Sequence, residues 1–330
     1  MNNYYGAYCD NLLDWQMMLP VIRLIPELKI IARNRKVQRG LAAKGIKSRV
    51  LPAYPQGVLM CRLSAHKFTA AGIKKIGMRH GPFHFKELPG KGAFLLFSRF
   101  IFTSENEADI ALKKGITNGI GLGYPRLDAF FKGEISLEEI KFLKRKLKFD
   151  NNKKNLLFTA TWPASGMSAL EIWKKRIREL ILEFNVLVTL HPWTDPAISE
   201  YFEQMPGVHL IKDYENIPYI MLADICIGDT SSILAECCAL DKPIITFTVP
   251  PAPRFVPYVL DMIKDFSLQI NGFDELLPAI NRYIKEPDLK KTARERARKL
   301  MFSNTDGSAG IKIAELIRSE FNLAQPPVLR

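Results

Sequence analysis

Residues 223–236, which read ADICIGDTSSILAE, carry the pattern on which the fold prediction rests. An apolar run ends at Gly228, four polar residues follow at once, and a helix-like run comes next. Residues 186–193, VLVTLHPW, repeat the arrangement, because an apolar strand delivers His191 to its carboxyl end and Pro192 stops the residue before it from being helical. Ligands of open α/β sheets bind outside the carboxyl ends of the strands. Both segments therefore predict a binding site at one edge of one sheet.

The polar run Asp229-Thr230-Ser231-Ser232 predicts an anion site suited to phosphate. Hydroxyls and backbone N–H groups at a helix N-terminus attract anions, with the helix dipole behind them. Glu236 lies one turn further on, on the side of Ser232, where a buried carboxylate could accept hydrogen bonds from ribose hydroxyls. The alternative is an ordinary helix cap, for which these residue types are preferred. A cap accounts for one hydroxyl but not for four consecutive polar residues.

The same alternation of strand and helix extends outward from this stretch. In the C-terminal half we expect strands at 156–160, 186–190, 208–211, 224–228 and 243–248, and helices at 168–184, 196–204, 216–222 and 231–239. In the N-terminal half we expect strands at 57–61, 73–77 and 99–103, and a helix capped by Ser104 and ended by Gly115. A helix is also expected over Asn11–Arg39, interrupted by Pro20 and Pro26. Short alternating units of this kind predict an α/β fold with parallel, doubly wound sheets.

A polar, Lys- and Asn-rich break at residues 150–155 is the best candidate for a domain boundary. We therefore expect one domain over residues 1–150 and a second, nucleotide-binding domain over 151–305.

Charge and composition narrow the function classes. The 330 residues carry 47 Lys and Arg against 34 Asp and Glu, a formal net charge of +13, which favours anionic partners. The five cysteines have no metal-type spacing, and the sequence suggests no signal peptide and no membrane-spanning run. A cytoplasmic chain, soluble or peripheral to the membrane, is expected. The basic clusters hold too few interleaved aromatics for a nucleic-acid surface.

Three further positions are candidates for the site. His80, at the end of a strand and beside Gly81, could act as a general base near neutral pH, or it could be a structural histidine. Arg126 could contact phosphate, although it could equally belong to an ordinary helix start. Thr161 and Trp162 end another strand with a hydroxyl and an indole, which could line a base pocket.

The sequence holds neither a D-x-D metal motif nor a G-x-x-x-x-G-K phosphate loop. No cofactor is evident, and the dependence on a divalent metal stays open. Compensation of phosphate charge would come from His, hydroxyl, backbone N–H, Arg and Lys groups.

Taken in order, these motifs resemble the CDP-glycerol glycerophosphotransferase family over roughly residues 75–318. The resemblance is carried by His80-Gly81, GYPRLD at 123–128, Thr161-Trp162, His191-Pro192, Ala223-Asp224, DTSS at 229–232, Asp241-Lys242-Pro243 and Asp306-Gly307. The chain departs from the family pattern at residues 82–86, at Pro163 and at Thr230, so the acceptor and the exact donor stay open.

The resemblance implies a GT-B architecture, in which two Rossmann-like domains with parallel sheets face a cleft. It places residues 1–150 on the acceptor side and implies that residues 306–330 form a C-terminal helix that returns to the first domain. It also implies transfer of glycerol phosphate, or a related alditol phosphate, from a CDP-linked donor to a hydroxyl of a cell-surface polymer or lipid-linked acceptor, with release of CMP. His80 would be the general base, and Asp229 an acidic catalytic residue. Donor contacts are expected from His191, Thr230, Ser231, Ser232, Glu236, Arg126, Thr161 and Trp162.

Two other functions compete with this prediction. A GT-B sugar transferase or nucleotide-sugar epimerase would share the sheet topology, and a non-catalytic nucleotide-binding subunit would share the pocket. An anionic membrane surface is an expected partner, since the apolar segment from Asn11 ends in the basic run 29–36 and could lie on a bilayer. That segment could instead be an ordinary docking helix.

Overall fold

The computed structural model describes residues 4–81, 87–212, 215–250 and 256–324. These residues form two compact units. The first takes residues up to 81 together with 88–134 and 300–324, and the second takes Glu87 and the described residues of 135–299. The boundary therefore lies at 134/135, before the polar break at 150 on which the domain prediction was based.

The first unit is built on a fully parallel sheet. In its described residues the strands are β1 (Tyr5–Cys9), β2 (Leu28–Ala32), β3 (Ser48–Val50), β4 (Gly57–Cys61), β5 (Lys74–Met78), β6 (Arg99–Phe102) and β7 (Gly119–Gly121). They lie in the order β3-β2-β1-β4-β5-β6-β7. The accompanying helices are α1 (Leu12–Ile22), α2 (Arg35–Ala42), α3 (Lys91–Phe94), α4 (Glu105–Lys113) and α5 (Asp128–Phe131). The strand order reverses between β1 and β4, so the sheet has its switch point there.

The second unit repeats the plan with its own parallel sheet. Its described strands are β8 (Lys154–Thr159), β9 (Phe184–Thr189), β10 (Val208–Ile211), β11 (Ile225–Gly228), β12 (Ile244–Phe247) and β13 (Leu268–Ile270), in the order β10-β9-β8-β11-β12-β13. Its helices are α6 (Leu137–Lys146), α7 (Leu170–Trp173), α8 (Pro196–Glu203), α9 (Ile217–Leu222), α10 (Ile233–Ala239), α11 (Pro257–Phe266), α12 (Leu276–Lys285) and α13 (Lys291–Met301). The switch point of this sheet lies between β8 and β11.

The chain ends its described part in α14 (Ala309–Phe321), which belongs to the first unit. The buried Arg318 of α14 pairs with Glu27 (2.8 Å) and donates to the carbonyl of Leu24 (3.0 Å). The ring of Phe321 stacks on Tyr5 with centroids 4.9 Å apart. These contacts fasten residues 300–324 to the start of the chain.

Local sequence signals explain several of these elements. The hydroxyl of Ser104 accepts the Glu107 N–H and so caps α4, while Gly115, at a positive φ of 78°, ends the turn that follows it. Both were predicted. The second-half strands at 208–211 and 225–228 also appear within one residue of their predicted bounds.

Two helix predictions are wrong. Residues 11–39 form α1, then strand β2, then α2, because the apolar run 28–32 pairs with β1 and β3 in the interior of the sheet. Most of α1 is buried, including Trp15 and Met18, so this segment is a docking helix rather than one lying on a bilayer. The helix predicted over 168–184 is only α7 followed by a 3₁₀ turn at 177–180.

Candidate functional site

In the second unit, polar residues follow three neighbouring strands at the carboxyl edge of the sheet. Thr161 follows β8, His191 follows β9, and residues 229–232 follow β11. Since β8 lies between β9 and β11, His191 and the 229–232 run stand two strand spacings apart, about 10 Å. The sheet therefore brings Thr161, His191 and the 229–232 run, all predicted as site residues, to its switch point.

Asp229 is the centre of this edge. Its carboxylate accepts hydrogen bonds from the N–H groups of Thr161 (2.9 and 3.1 Å), Ala169 (2.9 Å), Thr230 (2.5 Å) and Ser231 (3.0 Å). The residue is 1% exposed. Burial raises the pKa of the carboxyl above its ordinary value, and the hydrogen bonds from these N–H groups act in the opposite direction. Asp229 thus ties together the loops that follow β8 and β11.

The hydroxyls beside Asp229 bond to each other across the two loops. Thr161 Oγ1 lies 3.1 Å from Thr230 Oγ1, and Thr159 Oγ1 donates to Ser231 Oγ at 3.0 Å. Ser232 occupies the N-cap position of α10, but its side chain makes no capping hydrogen bond. The polar run is therefore not explained by helix capping, and most of its bonds go to the neighbouring strand's loop.

His191 lies at the other side of β8 and is fixed by its own loop. Its Nδ1 accepts the backbone N–H of Trp193 at 3.1 Å, so the neutral ring carries its hydrogen on Nε2. The rings of His191 and Trp193 meet edge to face with centroids 5.3 Å apart, and Trp193 meets Trp162 in the same way at 5.2 Å. Trp193 is 64% exposed. Trp193 was not among the predicted site residues, although its place directly after His191-Pro192 was a usable signal.

Glu236 lies in α10, whose residues 234–239 are all buried, and is itself 1% exposed. Its position places a carboxylate inside the second unit, one helical turn beyond the hydroxyls.

In the first unit, His80 follows β5 at the carboxyl edge and is half-buried. The preceding residue is fixed by a buried ion pair, in which Arg79 donates to Glu107 at 2.6 Å. Glu107 also accepts the N–H and the hydroxyl of Thr103 at 3.2 and 3.1 Å. The Arg79–Glu107 pair, which joins β5 to α4 across the end of β6, was missed because its partners are 28 residues apart. Residues 82–86, where the departure from the family pattern begins, lie outside the described residues.

Arg126 also belongs to the first unit. It is 7% exposed in a 3₁₀ turn, Pro125–Leu127, and its guanidinium lies 4.0 Å from the sulfur of Met17. Two residues on, Asp128 accepts the N–H of Gly310 in α14 at 2.6 Å. Burial raises the pKa of Asp128 to about 6. The GYPRLD segment thus holds α14 in place.

Two more family-like motifs have structural contacts. In the second unit, Asp241 binds Arg294 at 2.8 Å, and Lys242 donates to the carbonyls of Met221 and Ala223 at 2.8 Å each. In the first unit, Gly307 has a positive φ of 84°, and a Cβ there would meet Lys132 at 2.6 Å. Both conditions favour glycine at residue 307, because a side chain there would be strained and would crowd Lys132.

Within the described residues, no group of three His, Cys, Asp or Glu side chains is placed to hold a metal ion. In the same residues, no helix is long and apolar enough to cross a bilayer.

A family model for CDP-glycerol:poly(glycerophosphate) glycerophosphotransferases matches residues 116–319. The chain belongs to this family. The predicted family resemblance is therefore confirmed. The match includes Thr161, His191 and residues 229–232 at the carboxyl edge of the second sheet, which we call the Asp229 edge. It also includes the GYPRLD, Asp241-Lys242-Pro243 and Asp306-Gly307 segments.

Two curated relatives come from Bacillus spizizenii. The chain is 29% identical over 162 residues to a teichoic acid glycerol-phosphate primase, covering 46% of this chain and 40% of the primase. It is 26% identical over 202 residues to a teichoic acid poly(ribitol-phosphate) polymerase, covering 55% of this chain and 30% of the polymerase. The chain thus spans less than half the length of either relative.

Solved structures show the fold. The wall teichoic acid polymerase TagF superposes with a TM-score of 0.71 at 13% identity, over 97% of this chain and 89% of that one. MnaA of S. aureus, solved with UDP, superposes with a TM-score of 0.66 at 15% identity, over 98% of each chain. Together with the two parallel-sheet units, these neighbours confirm the predicted GT-B fold.

Proposed function

We propose that the family member described here transfers glycerol phosphate, or a related alditol phosphate, from a CDP-linked donor to an acceptor hydroxyl and releases CMP. The observation that carries the proposal is the Asp229 edge, where a buried carboxylate holds two hydroxyl-bearing loops at the switch point of the family-matched unit. Fixed hydroxyl donors of this kind stabilise phosphate charge without reorganising during the reaction.

The reaction is a displacement at the β-phosphorus of the donor. The acceptor oxygen forms the new O–P bond while the bond from that phosphorus to the bridging oxygen of the CMP moiety breaks, and the electron pair leaves with CMP. The proton of the acceptor hydroxyl passes to His80. General-base assistance of this kind contributes roughly 10²–10⁴-fold in rate.

Most of the residues proposed to contact the donor belong to the second unit. His191, which carries its hydrogen on Nε2 when neutral, donates to a phosphate oxygen, and the Thr230, Ser231 and Ser232 hydroxyls receive the rest of the diphosphate. Thr161 and Trp162 border the same loop, and Glu236 is proposed to accept from the ribose. Arg126 is proposed as a further phosphate contact.

Asp229 takes a positioning role in this proposal instead of touching the substrate. Its two oxygens are already occupied by four backbone N–H groups, and the residue is buried. What Asp229 supplies is the fixed distance between the Thr161 and Thr230 hydroxyls.

The acceptor is proposed to be a cell-surface polymer or a lipid-linked precursor that is itself anionic, and the protein to work as a peripheral protein at the inner face of the cell membrane. The net charge of +13 supports both partners, since cationic surfaces concentrate anionic substrates.

A donor panel tests the transferase proposal. The protein is incubated with CDP-glycerol, CDP-ribitol, CMP-sugars and UDP-sugars together with a glycerol-phosphate oligomer, and release of CMP and UDP is measured. We expect CMP from a CDP-alditol, dependent on the oligomer. Turnover or epimerisation of UDP-sugars with none of CDP-alditols would instead identify a sugar-transferring or epimerising enzyme. Binding of CMP without any turnover would identify a non-catalytic subunit.

A further inference from the structure

The positive charge of this chain is concentrated in one segment. Residues 28–86 hold 14 of the 47 Lys and Arg residues and none of the 34 Asp and Glu residues. The rest of the chain, with 33 basic and 34 acidic residues, is therefore almost neutral. Long-range attraction of anions is therefore concentrated in this acid-free segment, whose described residues 28–81 belong to the first unit.

Some cations of the segment are neutralised by acids from elsewhere in the first unit. Such ion pairs join Arg33 to Asp10, Arg62 to Asp14, Lys74 to Glu320 and Arg79 to Glu107. Among the described residues of the segment, the exposed cations with no carboxylate within 4.0 Å are Lys29, Arg35, Lys36, Arg39, Lys44, Lys47, Arg49 and Lys67. All but Lys67 belong to β2, α2, β3 or the turns between them, at the β3 edge of the sheet. We call these eight side chains the basic edge.

An apolar groove lies beside the basic edge. It has a volume of about 430 Å³ and is lined by Leu51, Pro52, Ala53, Tyr54, Lys67, Phe68, Thr69, Ala70 and Ile73. That volume lies within the roughly 300–1,000 Å³ of ordinary ligand sites. Lys67 is the one charged residue of the lining, and Tyr54 at the surface is 68% exposed. The groove therefore suits a ligand with an apolar portion and an anionic end.

A second cation lies on the groove's side of the sheet. The N–H of Leu51 continues the β3 ladder by donating to the carbonyl of Ala32 at 3.2 Å. Side chains two residues apart on a strand share a face, so Arg49 projects on the side of Leu51. The Arg49 guanidinium lies 4.9 Å from the centroid of the Tyr4 ring, which holds it against the sheet.

We propose that this groove binds an anionic phospholipid, with the headgroup phosphate between Arg49 and Lys67 and the first part of an acyl chain against Leu51, Phe68 and Ile73. The rest of the basic edge would then lie on the bilayer surface, where each Lys or Arg adds roughly 1 kcal/mol of attraction. A nucleic acid or a soluble polyanion would use the cations but leave the apolar groove empty. The inference rests on the membrane attachment proposed above, and it assigns that attachment to residues 28–73 instead of the buried helix α1.

Vesicle co-sedimentation of the full chain tests this site. The vesicles are phosphatidylcholine alone and phosphatidylcholine mixed with phosphatidylglycerol, at low and high salt. The test variant is Arg49→Glu/Lys67→Glu. The control is Lys146→Glu/Lys175→Glu, which changes net charge equally at exposed positions of the second unit. We expect the test variant to lose at least roughly tenfold in partition to the anionic vesicles, and the control to stay within about twofold of the natural protein. Equal losses in both variants would overturn the assignment.

The groove itself is tested by Ile73→Ser, with Ile284→Ser on the exposed face of α12 as the control. High salt screens the basic edge but not the apolar contact. The natural protein should therefore keep part of its binding at high salt, and Ile73→Ser should lose that part while the control keeps it. Identical high-salt binding of both variants would overturn the lipid assignment. A second result would also overturn the lipid assignment. It is that soluble poly(glycerol phosphate) displaces the protein fully from the vesicles, and that its binding requires Arg49 and Lys67 to the same extent as vesicle binding does.

Release of CMP with a soluble glycerol-phosphate oligomer separates this inference from the transferase proposal. Arg49→Glu/Lys67→Glu should retain that activity, since both residues lie outside the proposed donor site and the general base. A natural protein that binds anionic vesicles as described but turns over no CDP-alditol would defeat the transferase proposal alone. A natural protein that turns over the donor but shows no preference for anionic vesicles would defeat the lipid site alone.

Discussion

The carboxyl edges of the two sheets are built from different chemistry. In the second unit, one buried carboxylate is surrounded by backbone N–H groups and neutral hydroxyls, and the polar groups nearest to it carry no charge. In the first unit, three ion pairs follow β1, β2, β4 and β5, namely Arg33–Asp10, Arg62–Asp14 and Arg79–Glu107. Parallel sheets of the same kind thus carry one carboxylate among neutral donors in one unit and paired charges in the other.

This difference suggests a division of labour. Neutral donors fixed by Asp229 can hold a phosphate whose charge grows during the reaction, since their geometry costs nothing to reorganise. Ion pairs such as Arg79–Glu107 instead fix the backbone beside His80, the residue that is proposed to take up the acceptor proton. The four predictions below test this division, from the largest expected effect to the smallest.

Replacement of Asp229 by Ala should have the largest effect, because it leaves four buried N–H groups without an acceptor. Each such group costs about 1–3 kcal/mol, so unfolding of the second unit should become easier by about 4 kcal/mol or more. Urea denaturation measures the change. Asp195→Ala is the control, since that side chain accepts one N–H at the start of α8 and should cost about 1 kcal/mol. Similar losses in both variants would show that Asp229 does not organise the edge.

His80→Ala should lower the rate of CMP release by roughly 10²-fold or more. The affinity for CMP should stay nearly unchanged, because the proposed base acts on the acceptor and not on the donor. Turnover and isothermal titration with CMP measure the two quantities. His66→Ala, at an exposed position of the same unit, is the control. Near-normal turnover of His80→Ala would rule out the general-base role.

His191→Ala should weaken CMP binding as well as turnover. Loss of a hydrogen bond to a charged phosphate costs about 1.5–3 kcal/mol, which corresponds to roughly 10- to 100-fold in affinity. His209→Ala on β10, where the ring packs on Phe149, is the control and should bind CMP normally. A His191→Ala protein with full CMP affinity and reduced turnover would move His191 to the acceptor side of the reaction.

Asp128→Asn should have the smallest effect, visible as a change in the pH dependence of stability. The folded-state pKa of Asp128 is raised to about 6 from its ordinary value of 3.8. The stability that Asp128 contributes is therefore fully present below pH 3.8 and is lost as the pH rises through 6. We expect the free energy of unfolding to fall by about 1 kcal/mol between pH 5 and pH 7. The Asn variant keeps an oxygen for the Gly310 N–H but does not titrate. Urea denaturation at both pH values should show this loss in the natural protein alone.

The sequence predicted the second unit better than the first. Strand 208–211 was correct because an apolar run between turn residues determined its bounds, and Pro192 correctly ended the run after β9. Strands β1 and β2 were missed. For β2 the reason is that residues 11–39 have enough helical periodicity to hide a buried parallel strand. The family motifs begin only near residue 75, so no motif could correct the assignment of that region.

The sequence predicted which residues lie at the candidate site but not the hydrogen bonds that join them. The run 229–232 and His191 stood out because polar residues rarely follow apolar strands in such numbers. The function of Asp229 as the common acceptor for Thr161 and Ala169 depends on partners 68 and 60 residues away. Pairings at that separation depend on the order of the strands in the sheet, which local patterns do not determine.

The discontinuity of the first unit has a consequence for biosynthesis. Its sheet is made by residues before 134, but α14, with the Arg318–Glu27 pair and the Phe321–Tyr5 stack, is synthesised only after the whole of the second unit. Domains usually fold in order from the N-terminus as the ribosome releases them. Here the second unit, which apart from Glu87 lies between residues 135 and 299 in its described part, can be completed first. Until α14 has been synthesised, the surface of α1 that α14 contacts stays uncovered.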